Sequence, residues 1–168
     1  TEGAKKVDAV LSTGWKVVVG FAGVENWANK TDGWLPDWLD VPVGDGRIVY
    51  IAFDHDMATN PGVIRGAKRL AAVLRNKGAD AAFMWVPAVD GDPKSGIDDY
   101  LAAAADKKKA LKQLIASATT KFEPPEGHAT PVTTTPSFFD THGLRTLTVA
   151  RALHQDAPFA YSDADGLL

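Results

Sequence analysis

Ile48-Val49-Tyr50-Ile51-Ala52-Phe53-Asp54-His55-Asp56 is an apolar run that ends in two carboxylates one residue apart. Arg47 to Phe53 reads as a strand, and the acidic pair hangs from its carboxyl end, where open α/β sheets gather their ligands. Two acids this close repel each other, which raises one pKa or calls for a counter-charge. A divalent metal is the commonest partner that turns such a pair into a site.

The chain around this strand alternates helix and strand. Downstream, Val63, Ile64, Ala67, Leu70, Ala71 and Leu74 form an amphipathic stripe from Pro61 to Lys77, with Arg65, Lys68, Arg69 and Arg75 outside it. Gly78 ends that helix, and Ala81 to Val86 is the next strand. The loop Asp90-Gly91-Asp92-Pro93-Lys94-Ser95-Gly96 leads into helical residues that run from Ile97 to about Ala118. Upstream, Val7, Val10 and Leu11 follow helical spacing, and Gly14 closes the segment. Lys16 to Phe21 is a short β-branched run, apolar on both faces, as in a covered parallel strand. Ala22 to Gly46 reads as a loop with one short helix near Trp34 to Leu39 and with its aromatics over the sheet. This order, with right-handed crossovers, predicts an α/β fold with a mainly parallel sheet flanked by helices.

A further acid lies in Thr1-Glu2-Gly3-Ala4, which reads as the end of a strand turning at once into a helix. The expectation is a piece of a longer protein, with a first strand ending about where Glu2 begins. After Ala118 the composition shifts to Thr, Pro, Glu and Gly, so 119–143 is expected as a linker. A helical stripe resumes from Leu144 (Leu147, Val149, Ala150, Leu153). Phe159 to Leu168 then reads as a hairpin around Asp165-Gly166. The expected division is therefore a domain over 1–118, the linker, and the start of another module over 144–168.

Composition bounds the function classes. A chain of 168 residues with 45% hydrophobic residues, 23% charged residues and net charge −3 can bury one ordinary core. The absence of cysteine excludes disulfides, a thiol nucleophile and Cys-ligated zinc or iron–sulfur sites. No apolar run is long enough to span a bilayer and no signal peptide is visible, so the cytoplasm is the expected compartment. The near-neutral charge does not advertise nucleic-acid binding, although a local basic surface would suffice.

Each candidate has a structural alternative. Glu2 can simply complement a helix N-terminus, and Asp54 and Asp56 can serve as turn and capping residues before the Pro61 helix. Asp98 and Asp99 open a helix, where capping competes with lining a site. A calcium loop also begins Asp-x-Asp, but Ala58 occupies the next ligand position. His55 is expected to point away from both acids. His128, His142 and His154 show no metal-ligand spacing, and the tryptophans read as core or loop anchors.

Thr1-Glu2-Gly3 at a strand-to-helix junction, the strand ending near Gly20, and Phe53-Asp54-His55-Asp56 together resemble the Toprim domain of bacterial-type primases and topoisomerases. Lys94 through Asp98-Asp99-Tyr100-Leu101 is similar to the Lys/Asp element of primase-type Toprim domains. The match is with a Toprim-like family of unknown function in phage and plasmid primase-helicase proteins, over roughly 1–118. Leu144 to Leu168 resembles the start of a module that precedes the helicase.

The resemblance implies a Toprim-like (Rossmann-like) fold and magnesium-dependent phosphoryl transfer. Glu2, Asp54 and Asp56 would be catalytic and would hold Mg²⁺ or Mn²⁺. Gly3, Lys5, Lys94, Asp98 and Asp99 would contact nucleotide or phosphate, and the partners would be single-stranded DNA, nucleotides and a downstream helicase module. One departure stands out: Lys6 occupies a place where the family usually carries an Asp. Two rivals remain, a haloacid-dehalogenase-type phosphohydrolase with an Asp-x-Asp nucleophile and a non-catalytic Toprim-like scaffold.

Overall fold

The computed structural model describes residues 1–28, 41, 43–44 and 46–128, together with four short strands between 139 and 167. It divides into two units, Thr1–Thr130 and Pro131–Leu168.

In the first unit, α1 (Ala4–Leu11) is followed by an extended stretch over 15–20, then by β1 (Ile48–Ile51) and a single 3-10 turn (His55–Ala58). α2 (Pro61–Asn76), β2 (Asp80–Phe83), α3 (Ile97–Ala103) and α4 (Lys107–Ala116) follow. β1 and β2 form a two-stranded parallel sheet in which Ile48 pairs with Asp80 and Ile51 with Phe83. The fold is thus mixed α/β, with a small parallel sheet flanked by helices.

Period-two alternation along β1 and its extension sorts the core into two layers. Val49, Ile51 and Phe53 join Ala67, Leu70, Ala71 and Leu74 of α2 on one face. Tyr50 and Ala52 join Val10 of α1, Ile97 and Leu101 of α3, and Leu111 and Leu114 of α4 on the other. α2 ends close to its expected limit, with Lys77 as C-cap and Gly78 at φ 84°, the left-handed conformation that glycine adopts without strain.

The run Lys16 to Phe21 makes less ladder than expected of a sheet strand. Only Phe21 forms a bridge, parallel to Glu2, with Gly3 N–H donating to Phe21 O at 2.7 Å and Phe21 N–H to Thr1 O at 3.1 Å. Its side chains still alternate like those of β1, Val19 and Phe21 lying in the α2 layer and Val18 in the opposite one. The helix expected through Ala118 is two helices. Asp106 starts the second by accepting from Lys109 N–H at 2.9 Å, an N-cap that satisfies an otherwise orphan donor.

The stretch from Thr119 to His128, expected as linker, is part of the first unit and packs beside β2. Thr119 exchanges two backbone hydrogen bonds with Phe83 and accepts from Trp85 Nε1–H at 2.8 Å. Phe122 lies edge-on to both Phe83 and Trp85, with ring centroids 4.9 and 5.0 Å away. Of the Trp-rich loop, Trp27 is fully buried in the α2 layer, and Glu25 pairs with Arg65 and Arg69 of α2. Trp34 to Leu39 lies outside the described residues.

In the second unit, β3 (Phe139–Asp140) pairs antiparallel with β4 (Gly143–Leu144), and β5 (Tyr161–Ser162) with β6 (Gly166–Leu167). The pairing of Tyr161 with Leu167 makes a hairpin of the last segment, with Gly166 inside its second strand rather than at the turn. Leu144 is in β4; the rest of the helical stripe expected to Leu153 lies outside the described residues.

Candidate functional site

The carboxyl ends of the parallel segments deliver their acids to one edge. Phe53 is buried at the end of β1, and Asp54 then leads into the 3-10 turn with its backbone still extended. Asp54 O accepts from Met57 N–H at 2.8 Å, while Asp56 O accepts from Thr59 and Asn60 N–H at 3.0 and 2.8 Å. That turn brings Asp56 inward, where it is 6% exposed.

Two lysines from distant segments meet the acidic pair. Lys6, on the first turns of α1, places Nζ 3.0 Å from Asp54 Oδ1. Lys94, from the loop after β2, places Nζ 2.5 Å from Asp56 Oδ2, and Asn60 Nδ2 donates to the same oxygen at 3.0 Å. Asn60 also caps α2, its Oδ1 accepting from Gly62 N–H at 3.0 Å. A third pair joins Lys5 Nζ to Asp98 Oδ2 at 3.2 Å. Among the described residues, Asp54 Oδ1 accepts no well-directed hydrogen bond, so its partner is the ammonium charge itself, and the buried Oδ1 of Asp98 has no hydrogen-bond donor.

Gly96 makes this packing possible. A Cβ built there would collide with Lys6 Cε and would lie 2.6 Å from Asp98 Oδ1 and 2.9 Å from Asp54 Oδ1. The bare backbone of Gly96 is therefore the floor over which the Lys6 stem reaches the acids. The loop carrying it is clamped to the turn by His55 N–H, which donates to Ser95 O at 2.9 Å. Buried Ser95 ties the loop to itself, its Oγ accepting from Val89 N–H and donating to Asp92 O, each at 2.8 Å.

The charges are felt across the site. Burial raises the Glu2 pKa above its ordinary value, and the neighbouring Asp54 and Asp56 add to the rise. For Lys6, burial pulls the pKa down, but the contact with Asp54, helped by Asp98 and Glu2, outweighs it and leaves the value raised. The hydrogen bond to Asp56 raises Lys94. The two lysine shifts follow from opposite charges held close, and the Glu2 shift from burial beside like charges.

Glu2, Asp54, Asp56, Lys94, Asp98 and Lys5 are thus all at this edge. Gly3 adjoins it as the N-cap of α1, with φ 78° and open space where a side chain would be. Asp99 is the exception: its carboxylate accepts from Gly96 N–H at 2.9 Å and caps α3. Lys6 is the site residue that sequence reasoning left without a role, although its place where an acid was expected was the available signal. His55 turns from the acids, as expected, with Nδ1 2.9 Å from Val86 O. Its ring lies 4.4 Å from that of His128, a neighbour that sequence spacing did not show.

The family description for a domain of unknown function, DUF3854, matches residues 1–108. The chain belongs to this family. The matched part of the DUF3854 domain contains every residue of the charged edge. No curated protein and no solved structure matches the chain.

The donor set of the DUF3854 domain suits a hard cation, since all its acidic ligand atoms are carboxylate oxygens. Among the described residues, however, no three acidic or histidine side chains converge as a ready metal cage. Ammonium groups hold Asp54 Oδ1 and Asp56 Oδ2, and a cation taking those two oxygens would send the lysines to other anions.

Proposed function

We propose that the domain binds a magnesium–nucleotide complex at the Glu2, Asp54 and Asp56 edge and catalyses nucleotidyl transfer in DNA replication, as the Toprim-like primase module of a phage or plasmid primase-helicase. One observation carries this reading: Asp54 and Asp56 each face a lysine, at 3.0 and 2.5 Å. A site built of touching carboxylates and ammonium groups has a partner for both halves of a metal–polyphosphate.

Binding is then an exchange. Lys6 and Lys94 leave their carboxylates for phosphate oxygens, and Asp54, Asp56 and Glu2 become free to hold Mg²⁺. Each lysine trades one anion for another, so no charge is left buried without a partner. Lys94 is suited to the move because 67% of its side chain is exposed. Magnesium, when bound, offsets the charge that develops on the phosphates and favours attack at the α-phosphorus. A 3′-oxygen bonds to that phosphorus as the bond to the β-phosphate oxygen breaks and pyrophosphate leaves. In an alternative division of roles, Glu2 leaves the metal to Asp54 and Asp56 and takes up the hydroxyl proton, a task that its raised pKa supports. Gly3 lets a phosphate approach the backbone. Template contacts would come from elsewhere in the parent protein, together with its helicase module, because this chain is net acidic.

The same ion pairs favour a second reading, a non-catalytic module whose acids are neutralised for good. A haloacid-dehalogenase-type reaction fits less well, because Lys6 covers Asp54 Oδ1, the would-be nucleophile, and Glu2 has no part in it. Primer synthesis on single-stranded DNA by the parent protein separates the readings. Asp54→Asn/Asp56→Asn should abolish it. A fully active double variant contradicts the proposal, and a wild type that binds a partner but incorporates no nucleotide supports the non-catalytic reading.

A further inference from the structure

A cavity of about 400 Å³ opens between the extended segment 17–19 and β1. It is more than twice as large as the apolar void of ~150 Å³ that stays dry and takes up benzene in a protein core. Its walls come from both layers: Val19, Ile51 and Leu70 on the α2 side, Val18, Met84 and Leu111 on the other. The cavity therefore passes through the plane of the sheet rather than lying on one face of it.

Its two long edges are strand edges, and Val17 O, which accepts from Trp15 Nε1–H at 3.1 Å, keeps a second lone pair for a strand partner. β1 is hydrogen-bonded to β2 on one side, and among the described residues no backbone hydrogen bond joins it to 17–19. At the mouth, Val17 and Ile48 are 65% and 57% exposed. Thr1 also lines the cavity, and its amino group donates to Val19 O at 3.1 Å. With the bonds Gly3 N–H to Phe21 O and Phe21 N–H to Thr1 O, this is the regular spacing of a parallel ladder.

We propose that this slot is the seat of a further β-strand, an extended apolar segment running parallel to both edges and in register to lead into Thr1. The register is fixed by the bridge of Glu2 with Phe21. It sets the residue two ahead of Thr1 to accept from Val19 N–H and to donate to Val17 O. Because the walls belong to both core layers, the occupant must be apolar on both faces, which a β-branched strand satisfies and an amphipathic helix does not. The strand would join the two halves of the sheet and fix Glu2, at its carboxyl end, beside Asp54. The inference stands independently of the proposed function, since it rests on the slot and the ladder alone.

The test joins three six-residue extensions to Thr1: Val/Ile-rich, the same with Pro two positions ahead of Thr1, and Gly/Ser. Amide hydrogen exchange is followed at Val17–Val19 and Ile48–Ile51. The Val/Ile extension should slow exchange there at least about tenfold, and the other two should not, because Pro lacks the N–H that the ladder directs to Val17 O beside Trp15 Nε1–H, and Gly/Ser has no apolar side chains to fill the slot. Equal protection by the Pro extension would show a merely greasy groove and overturn the proposal. So would no protection by any extension, or protection by the free Val/Ile hexapeptide but not by the fused one.

Discussion

Lys6 Nζ sits 3.0 Å from Asp54 Oδ1, with 17% and 15% of the two side chains exposed. An acid that looked in the sequence like half of a metal site is held by an ammonium group from α1. The pair ties the first helix to the end of β1, so it bears on stability as well as on function.

Lys6→Met should therefore destabilise the fold by roughly 2–3 kcal/mol, because it leaves Asp54 largely buried without a counter-charge. Lys6→Met/Asp54→Asn should recover most of that loss. Urea unfolding of the two single variants and the double gives the coupling directly. Additive losses would mean that the two side chains do not depend on each other.

Gly96→Ala should lower stability by about 1–3 kcal/mol through overpacking, since the added methyl collides with Lys6 Cε. Measured against Lys6→Ala, which itself loses the ion pair with Asp54, the added methyl in Gly96→Ala/Lys6→Ala should cost less than it does in the wild type. The backbone at Gly96, φ −100° and ψ 178°, is open to any residue, so a methyl cost that is the same in both backgrounds would come from the Asp98 and Asp54 carboxylates beside it and not from the Lys6 stem.

His128 gives the fold a dependence on mild acid. Burial, and then the charge of His55, hold its pKa down to about 4 from 6.5. A base with a depressed folded pKa contributes stability above its unfolded value and loses it as pH falls through the folded one. Stability should thus drop between about pH 6.5 and 4, beginning with release of Pro125 to His128 from Trp85, whose ring is 5.7 Å away. The pH profile of tryptophan fluorescence should show this step in the wild type and lose it in His128→Gln.

A chain ended after Ala118 should be less stable than one ended after Thr130, because it uncovers Phe83 and Trp85, both 3% exposed or less. Removing an aromatic such as Phe122 from such a cluster costs on the order of 3 kcal/mol when it is fully buried. Phe122→Ala in the longer chain should reproduce part of the drop, read as a lower thermal midpoint. Equal midpoints for the two chains would return 119–128 to the role of a linker.

Much of the frame was legible because it is written in local pattern. The stripe Val63 to Leu74 with Gly78 after it located α2, and the run ending in Asp54 located β1 and the edge of the site. Other features depend on contacts across the chain. Lys6 is 48 positions from Asp54 in sequence, and no spacing rule couples them. The prolines of Thr119 to Pro136 suggested a linker, whereas Phe122 and Trp85 decide where its first part goes. Asp106 carried a readable N-cap signal, but the alanines before it masked the break between α3 and α4. The run Lys16 to Phe21 has strand composition, yet a ladder also needs a neighbour in register.

The exchange of lysines between carboxylate and phosphate is the central claim, and Mn²⁺ binding read by electron paramagnetic resonance tests it most directly. In the wild type, Mn²⁺ affinity should rise at least about tenfold when a nucleoside triphosphate is present, a coupling of roughly 1.4 kcal/mol. Lys6→Met/Lys94→Met should bind Mn²⁺ alone more tightly than the wild type and lose the effect of triphosphate. Wild-type Mn²⁺ binding that ignores triphosphate, and is unchanged when both lysines are removed, would contradict it.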